Sequence, residues 1–364
     1  MDTVGCKHTL RSRIGPHSDR GVRLGTTGER RRVDPGSGGK NWSVEIVPIN
    51  GPDDLRETTR GSDVKIVQLK PGKLLGRIKH FGVGSLGISL GRFDSAIRMR
   101  GDLHQHRIVL GTILDSSGPV TQWWKDVRPA DIGVFPAFVE FDAIHGGGAA
   151  YLLVSLALPE LLAMLGDEGH LADPAFWNTK GLYNIGSVVG ARMLPRLMGI
   201  ISGIEHKLTA PSDQAADFLK RSIVEVFVSA LMSASARAST RSCSGARTGA
   251  RLVSETEDYI DASEGRPVHI SELCCALKVS RRSLHRAFTD ILGIGPAAYL
   301  RRRRLSAIRA ILSRCDTAPI SIGDLAFEHG FPQTGRFAAY YRAHFGETPS
   351  ETLRSRPVSR RSVI

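Results

Sequence analysis

Short apolar runs dominate the chain from about Val44 to Ser155. Glycine, proline and aspartate break these runs at a spacing of roughly ten residues, which is typical of short antiparallel strands. The pattern therefore predicts a β-sandwich or a small barrel in this part of the chain. The runs are VEIVPI, VKIVQL, GVGSLGISLG, HRIVLGTIL, DIGVFPAFVEF and YLLVSLAL.

Helical periodicity replaces the strand pattern further along the chain. Leu158 to Leu165 fits a short helix, and Tyr183 to Ile201 fits another that Pro195 is expected to interrupt or to start. The clearest helix runs from Ser212 to about Met232, with Ser212 as its N-cap and an apolar face that includes Phe218. We expect this face to pack on the preceding sheet, to pair with its symmetry mate in a homodimer, or to do both.

Two similar helical units follow in the last third of the chain. In the first, Ile270 to Leu277 predicts a short helix and Ser280 caps a longer one. In the second, Ile322 to His329 is the short helix and Gln333 to Phe345 the longer one. Short helix, turn and longer helix is the helix-turn-helix arrangement. The helix predicted between the units, Pro296 to Ser313, is roughly 27 Å long at about 1.5 Å per residue.

The charge of the chain is concentrated at its two ends. The 364 residues carry a formal net charge of +13 and the pI is about 9.9. Residues 1–40 have nine basic and four acidic side chains, residues 41–240 have twenty of each, and residues 241–364 have twenty and twelve. A neutral middle between basic ends predicts that the ends contact a polyanion.

Two low-complexity segments suggest how the chain is divided. Both are small and polar, and neither has the apolar periodicity that a packed core requires. The predicted fold class is α+β, with a β-sandwich or barrel plus helices followed by an all-α domain that begins with a helix at Leu252 to Glu264. The predicted divisions are a disordered basic tail at 1–40, a β-rich domain at 41–232, a flexible linker at 233–250, a helical domain at 251–356 and a basic tail at 357–364.

The longer helix of each helical unit carries the candidate DNA-reading residues. In the first unit Arg282, His285 and Arg286 lie at i, i+3 and i+4, so one helix face can reach base edges in the major groove. A residue at the helix start can equally contact phosphate, which positions the protein without specifying sequence. The alternative interpretation is a charged helix face that is only solvated. In the second unit, contact with DNA and a solvated face both remain open. The candidates are Arg281, Arg282, His285, Arg286, Thr289, Gln333, Thr334 and Arg336.

A run of four arginines begins the predicted connecting helix. Arg301 to Arg304 covers every face of that helix, so at most two of the four side chains can point at DNA together. We expect the others to pair with acidic neighbours such as Asp290 or to cover the edges of the core with their stems.

The segments that carry these units resemble the AraC/XylS family of bacterial transcription regulators. The resemblance covers Arg251 to Arg354, and the N-terminal half is similar, more loosely, to the cupin-like effector domains found upstream in many such regulators. It implies that residues 41–232 form an effector-binding and dimerisation domain and that residues 251–356 form the DNA-binding domain. The segments that match are ISELCCALKVSRRSLHRAFTDILGIGPAAYLRRRRLSAIRAIL, ISIGDLAFEHGFPQTGRFAAYYRAHFGETPSETLR and, in the N-terminal half, QLKPGKLLGRI and RPADIGVFP.

The family resemblance implies a function as well as a fold. It implies a cytoplasmic activator that binds promoter DNA sequence-specifically, contacts RNA polymerase and responds to an unknown small-molecule effector. Pro332 departs from the family pattern, because proline belongs in the turn or at the first helical position, and it leaves open where the second recognition helix begins. Ala338 and Ala339 stand where many relatives have polar residues, so the second unit is expected to read fewer bases.

Two other classes of protein remain as alternatives. His104 and His106 alternate on one predicted strand, as metal ligands do in catalytic cupins. His145 is the only later candidate within the predicted strands, and no third histidine and carboxylate at suitable spacing are evident. We therefore predict no metal, no cofactor and no enzymatic activity. A nonspecific nucleic-acid-compacting protein is the second alternative. We also predict no membrane span, because Pro159 and Glu160 interrupt the longest apolar stretch.

Overall fold

The fold is described from a computed structural model of the chain. Its first two thirds form two β-sheets with helices and its last third is helical, which confirms the predicted α+β fold class. The structure describes residues 31–33, 42–58, 63–103, 106–165, 169–205, 210–234, 244–263, 265–314 and 321–355.

The described strands pair into two antiparallel sheets. The strands are β1 (Arg31–Val33), β2 (Trp42–Ile49), β3 (Asp63–Gln68), β4 (Gly76–Val83), β5 (Leu86–Phe93), β6 (Ile97–Asp102), β7 (Ile108–Ser116), β8 (Val120–Gln122), β9 (Lys125–Val127), β10 (Ile132–Phe135), β11 (Glu140–His145), β12 (Ala149–Leu156) and β13 (Gly181–Tyr183). The large sheet has the order β1-β2-β4-β5-β12-β7-β10-β13, and the small sheet has the order β3-β6-β11-β8-β9.

The described helices surround these sheets and continue beyond them. They are α1 (Pro52–Thr58), α2 (Leu158–Leu165), α3 (Pro174–Trp177), α4 (Gly186–Glu205), α5 (Asp213–Ser233), α6 (Ser244–Ala262), α7 (Ile270–Ala276), α8 (Arg281–Leu292), α9 (Pro296–Arg314), α10 (Ile322–Glu328), α11 (Thr334–Phe345) and α12 (Pro349–Arg354). One 3-10 turn, Gly169–Ala172, lies between α2 and α3.

Alternation along the strands gives the large sheet two different cores. Leu110 and Leu152 point to the side on which α4 and α5 pack, and they share a cluster with Phe227 of α5. The neighbouring residues Val109 and Leu153 point the other way, into a cluster between the large and the small sheet. Successive side chains of a pleated strand face opposite sides, so each core follows from the sequence register of the strands.

Helix α4 differs from the predicted helix in two respects. It begins at Gly186, because Tyr183 ends strand β13, and it runs unbroken through Pro195. Pro195 is exposed, so the carbonyl that loses its helical hydrogen bond lies on the solvent side. By length and composition α4 is the one described helix that could cross a membrane. Leu197 and Ile201 are nevertheless buried in the helix-facing core.

Two other expectations differ from the structure. Residues 244–250 of the predicted flexible linker form the start of α6, because Ala250 is buried and tertiary packing overrides the local composition. Arg31–Val33, within the predicted disordered tail, pairs with β2. The apolar face of α5 packs on the large sheet, as one of the two alternatives predicted, whereas its Phe218 is exposed. Pairing of this face with a symmetry mate stays a prediction. Residues 1–30, 34–40, 235–243 and 357–364 of the predicted tails and linker lie outside the described residues, and the remaining domain bounds stay a prediction.

Two glycines give opposite expectations for stability. Gly293 ends α8 at φ 69°, so Gly293→Ala forces a side chain into the left-handed region and should lower the free energy of unfolding by about 1–2 kcal/mol. Gly249 lies inside α6, and a Cβ added there would make only ordinary van der Waals contacts. Gly249→Ala should therefore raise the free energy of unfolding by about 0.5–1 kcal/mol. Urea unfolding followed by circular dichroism measures both changes. Equal shifts in the two variants would contradict the assignment.

Candidate nucleic-acid interface

The first helix-turn-helix unit consists of α7 and α8. The Ser280 hydroxyl accepts a hydrogen bond from the Ser283 amide at 3.0 Å, which confirms the predicted N-cap of α8. Leu284 and Phe288 are buried in a cluster with Leu273 of α7. Because these side chains occupy one side of α8, the remaining polar side is turned to solvent.

All five candidates of the first unit lie on that exposed side: Arg281, Arg282, His285, Arg286 and Thr289. The His285 ring lies 3.4 Å from the Thr289 hydroxyl, and the Arg286 guanidinium lies 3.4 Å from the Asp290 carboxylate. Asp290 thus offsets part of the charge of Arg286, whereas Arg281 and Arg282 form no ion pair with another described residue. The structure brings the candidates together on one surface, and their contact with DNA stays a prediction.

The second unit consists of α10 and α11, built around the buried rings of Phe331, Phe337 and Tyr341. Gln333 occupies the N-cap position and the helix begins at Thr334, so the predicted start at Gln333 is wrong by one residue. Pro332 lies before the cap, where its missing N–H removes nothing from the helix. Gln333, Thr334 and Arg336 are exposed.

The four arginines of α9 divide their contacts among different neighbours. Arg301 lies 4.4 Å from the ring centre of Tyr340, and the Arg304 guanidinium donates to the Gly330 carbonyl at 3.2 Å. Arg302 donates to the Leu69 carbonyl of the β half, and Arg303 to the carboxylate of Asp261. The expected pairing with Asp290 is wrong, because that carboxylate lies beside Arg286 on α8.

Tyr340 is an exposed aromatic residue that the sequence reasoning missed. It lies one turn beyond Arg336 on α11, on the side of the helix that carries the candidate residues. The spacing of Arg336 and Tyr340, which lie at i and i+4, could have identified Tyr340. Beyond Arg336, only Ala338 and Ala339, which lie between these two residues, were considered. Tyr340 and Arg301 therefore extend the candidate surface of the second unit toward the connecting helix.

A buried ion cluster joins the helical units to the small sheet. Arg98 of β6 lies 2.7 Å from the Glu257 carboxylate of α6, and both side chains are only 1% exposed. The Arg98 guanidinium also donates to Asp142 of β11, and the Tyr299 hydroxyl of α9 donates to Glu257. Burial alone would lower the pKa of Arg98, but Glu257 and Asp142 raise it above its ordinary value. Burial would raise the pKa of Glu257, but Arg98 lowers it, so both groups are charged.

Further ion pairs extend this junction along α6 and α9. Arg100 lies 2.6 Å from Asp258, and Lys65 lies 3.1 Å from Asp261. At the far end of α9, Arg309 lies 2.6 Å from Asp53 of α1, and both side chains are almost fully buried. The small sheet presents cations to the acidic side of α6, whereas α1 presents an anion to α9. The sequence reasoning missed this junction, because its partners lie more than 150 positions apart.

Of the histidines named as metal candidates, the two that the structure describes lie in different surroundings. His104 lies outside the described residues, His106 is exposed beside Phe138, and His145 is buried between the sheets. In the described part of the chain no group of three or more His, Cys, Asp or Glu side chains is arranged to hold a metal ion.

The helical units resemble known regulators in sequence. Residues 273–355 match a family model described as a helix-turn-helix domain. The chain is 30% identical over 200 residues to the probable thc operon regulatory protein of Rhodococcus erythropolis, covering 54% of this chain and 58% of that protein. It is 40% identical over 98 residues to the XylDLEGF operon transcriptional activator 1 of Pseudomonas putida, covering 27% and 30%. The chain spans 30–60% of the length of the first curated relatives that it matches.

Two solved structures complete the comparison. A probable AraC family transcriptional regulator from Rhodopseudomonas palustris is 38% identical, with 29% of this chain and 99% of that one covered and a TM-score of 0.27. The AraC-like transcriptional activator CuxR is 16% identical, with 73% and 95% covered and a TM-score of 0.37. These matches confirm the predicted resemblance of the C-terminal helical units to the AraC/XylS family of transcription regulators.

Removing the charge of Glu257 tests the buried junction. Glu257→Gln leaves Arg98 with Asp142 alone, so the free energy of unfolding should fall by about 3 kcal/mol, as when one partner of a buried pair is lost. Glu205→Gln is the matched control, because the Lys79–Glu205 pair is partly exposed and should contribute less than about 1 kcal/mol. Urea unfolding measures both, and equal losses would contradict a special role for the junction.

Proposed function

We propose that the chain is a sequence-specific DNA-binding transcription regulator that activates promoters. The observation that carries this proposal is the pair of exposed recognition-helix faces on α8 and α11, joined by the single helix α9. At about 1.5 Å per residue α9 is roughly 28 Å long. Recognition helices held on such a connection suit successive major-groove faces, which lie about 34 Å apart on one side of the duplex.

The side chains on the two faces differ, which supports different shares of base recognition for the two units. The first face carries three arginines and a histidine, whereas the second carries Gln333, Thr334, Arg336 and Tyr340. Arginine grips guanine O6 and N7 bidentately, so the first face offers more base-specific contacts. We therefore infer that the first unit supplies most of the sequence preference and that the second unit supplies fewer base contacts.

A small-molecule effector and RNA polymerase complete the proposed function. The effector is assigned to the β half, which is separate in sequence from the DNA-reading helices but packs against them through α6 and α9. An effector that binds two arrangements of the protein with different affinity shifts their populations and so alters promoter occupancy. RNA polymerase is assigned as the partner of the DNA-bound protein.

Selection of bound fragments from randomised DNA tests the proposal. The full-length chain should enrich a recurring motif with two elements about one helical turn apart at about 150 mM salt, where weak phosphate binding is largely suppressed. Competition with random DNA should leave the selected site bound at least about 1,000-fold better. Enrichment of no motif would favour nonspecific binding and would overturn the proposal.

Two neighbouring arginines separate base reading from phosphate contact. Arg282→Ala should relax the preference at one position of the selected motif and cost about 1–3 kcal/mol of discrimination. Arg281→Ala, at the helix start, should weaken all sequences about equally and reduce the salt dependence. Arg302 of α9 is not used as the variant that removes a phosphate contact, because its guanidinium donates to the Leu69 carbonyl and its loss would also affect the docking of the β half. If both changes weakened binding alike, the assignment of the reading face would be wrong.

A further inference from the structure

The two recognition helices have the same length and end in the same way. Helices α8 and α11 are each 12 residues long, and each is followed by a glycine in the left-handed region, Gly293 at φ 69° and Gly346 at φ 73°. These glycines lie 53 positions apart, as do the N-cap residues Ser280 and Gln333. A shift of 53 positions therefore assigns to each residue of α8 its counterpart on α11.

The buried residues of the two helices obey the same shift. Three core positions of α8 are buried, and so are all three of their counterparts on α11. The pairs are Leu284 with Phe337, Phe288 with Tyr341, and Leu292 with Phe345. Because side chains point outward at fixed angles around a helix, the positions turned away from the two cores also correspond.

The counterparts of the three base-reading candidates on α8 have no hydrogen-bonding side chain. Gly335 and Ala339 are exposed, and Ala338 is half-buried. They cannot grip guanine as arginine does, and the C5-methyl group of thymine is the group in the major groove that alanine contacts. The pairs are Arg282 with Gly335, His285 with Ala338, and Arg286 with Ala339.

Gln333 favours the same base pair. Its side chain makes no capping hydrogen bond to α11, so its amide group is not used in starting the helix. Glutamine binds adenine N6 and N7 bidentately, and adenine is the partner of thymine. The polar residue at the start of α11 and the small residues that follow it therefore suit one kind of base pair.

We propose that the second recognition helix reads thymine methyl groups, and that the DNA element it binds is rich in A·T pairs. Ala338 and Ala339 contact the methyl groups, and Gln333 binds an adenine of the same element. Arg336 is the counterpart of Ser283, beside the reading positions, and contacts phosphate, which adds affinity without sequence preference. The inference rests on the proposed function, because it names the base pairs that the proposed regulator recognises.

DNA duplexes that differ only in methyl groups test the assignment. The probe is the site that the full-length chain enriches, and each Kd is measured by fluorescence anisotropy at about 150 mM salt. Deoxyuridine in place of thymidine removes only the methyl group. In one element it should weaken binding about four-fold for each methyl in contact, the cost of exposing one buried methylene-sized group. In the spacer between the elements it should leave binding unchanged.

Two further base analogues separate methyl contact from DNA shape. DNA rich in A·T pairs also differs in groove width and stiffness, which proteins recognise without touching the bases. Replacing a sensitive T·A pair by C·G should weaken binding, and 5-methylcytosine in place of that cytosine should recover about four-fold, because it restores the methyl group. In the other element, 7-deazaguanine removes the N7 acceptor that arginine uses and should weaken binding at least about five-fold.

Two alanine substitutions with the same cost to the helix locate the contact. Ala339→Gly removes the contacting methyl, so the effect of deoxyuridine at one position of the sensitive element should fall from about four-fold to none. Ala343→Gly is the matched control, because Ala343 is exposed one turn further along α11 and is the counterpart of Asp290, which is not a reading candidate. It loses the same helix propensity but should keep the full deoxyuridine effect.

A gain of specificity tests the correspondence between the helices. Gly335→Arg places an arginine at the position of Arg282, and a Cβ added there would meet no atom of the described residues within 4 Å. Fragment selection with this variant should return a guanine in the A·T-rich element.

The proposal is overturned by any of four results. These are an absence of deoxyuridine sensitivity in both elements, no recovery with 5-methylcytosine, equal effects of Ala339→Gly and Ala343→Gly on that sensitivity, and an unchanged motif with Gly335→Arg. In each of these cases an enriched motif still supports the proposed function. If no motif is enriched, the proposed function and this inference both fail.

Discussion

The contact between Arg98 and Glu257 determines how the two halves of the molecule are arranged. Moving a charge out of water is expensive, and an ion pair offsets that cost only when its remaining donors and acceptors are also satisfied. Here Asp142 supplies a second anion to Arg98, and Tyr299 supplies a second donor to Glu257. The four groups come from β6, β11, α6 and α9, so the cluster is complete only when the sheet and both helices are in place.

The charges at this junction have partners on both sides of it. Arg100 contacts Glu140 within the sheet as well as Asp258 across the junction. Arg309 contacts Glu347 within the helical half as well as Asp53 across the junction. Leaving one buried charge unpaired is the main penalty when an ion pair is broken. Since each of these groups keeps a partner of its own half, separation of the halves would not leave it uncompensated.

The sequence predicted the features that depend on neighbouring residues. The N-cap at Ser280 acts within one helical turn, so the start of α8 was predicted closely, as was the end of α11 at Phe345, which Gly346 follows. The start of α6 was not, because its first residues look like a linker until they meet α8. The same is true of Arg98 and Glu257, which lie 159 positions apart. The local sequence shows that Arg98 and Arg100 share one strand face, but it does not indicate that Glu257 is the partner of Arg98.

Helix α9 serves both halves of the molecule at once. One side of α9 contacts the second helix-turn-helix unit, where Arg301 lies over the Tyr340 ring and Arg304 donates to the Gly330 carbonyl. Another side meets the β half, through Arg302 on the Leu69 carbonyl and Arg309 on Asp53. A helix is stiff along its axis because each turn is hydrogen-bonded to the next. The placement of the two recognition helices is therefore tied to the docking of the β half, and a change that moves one must be accommodated by the other.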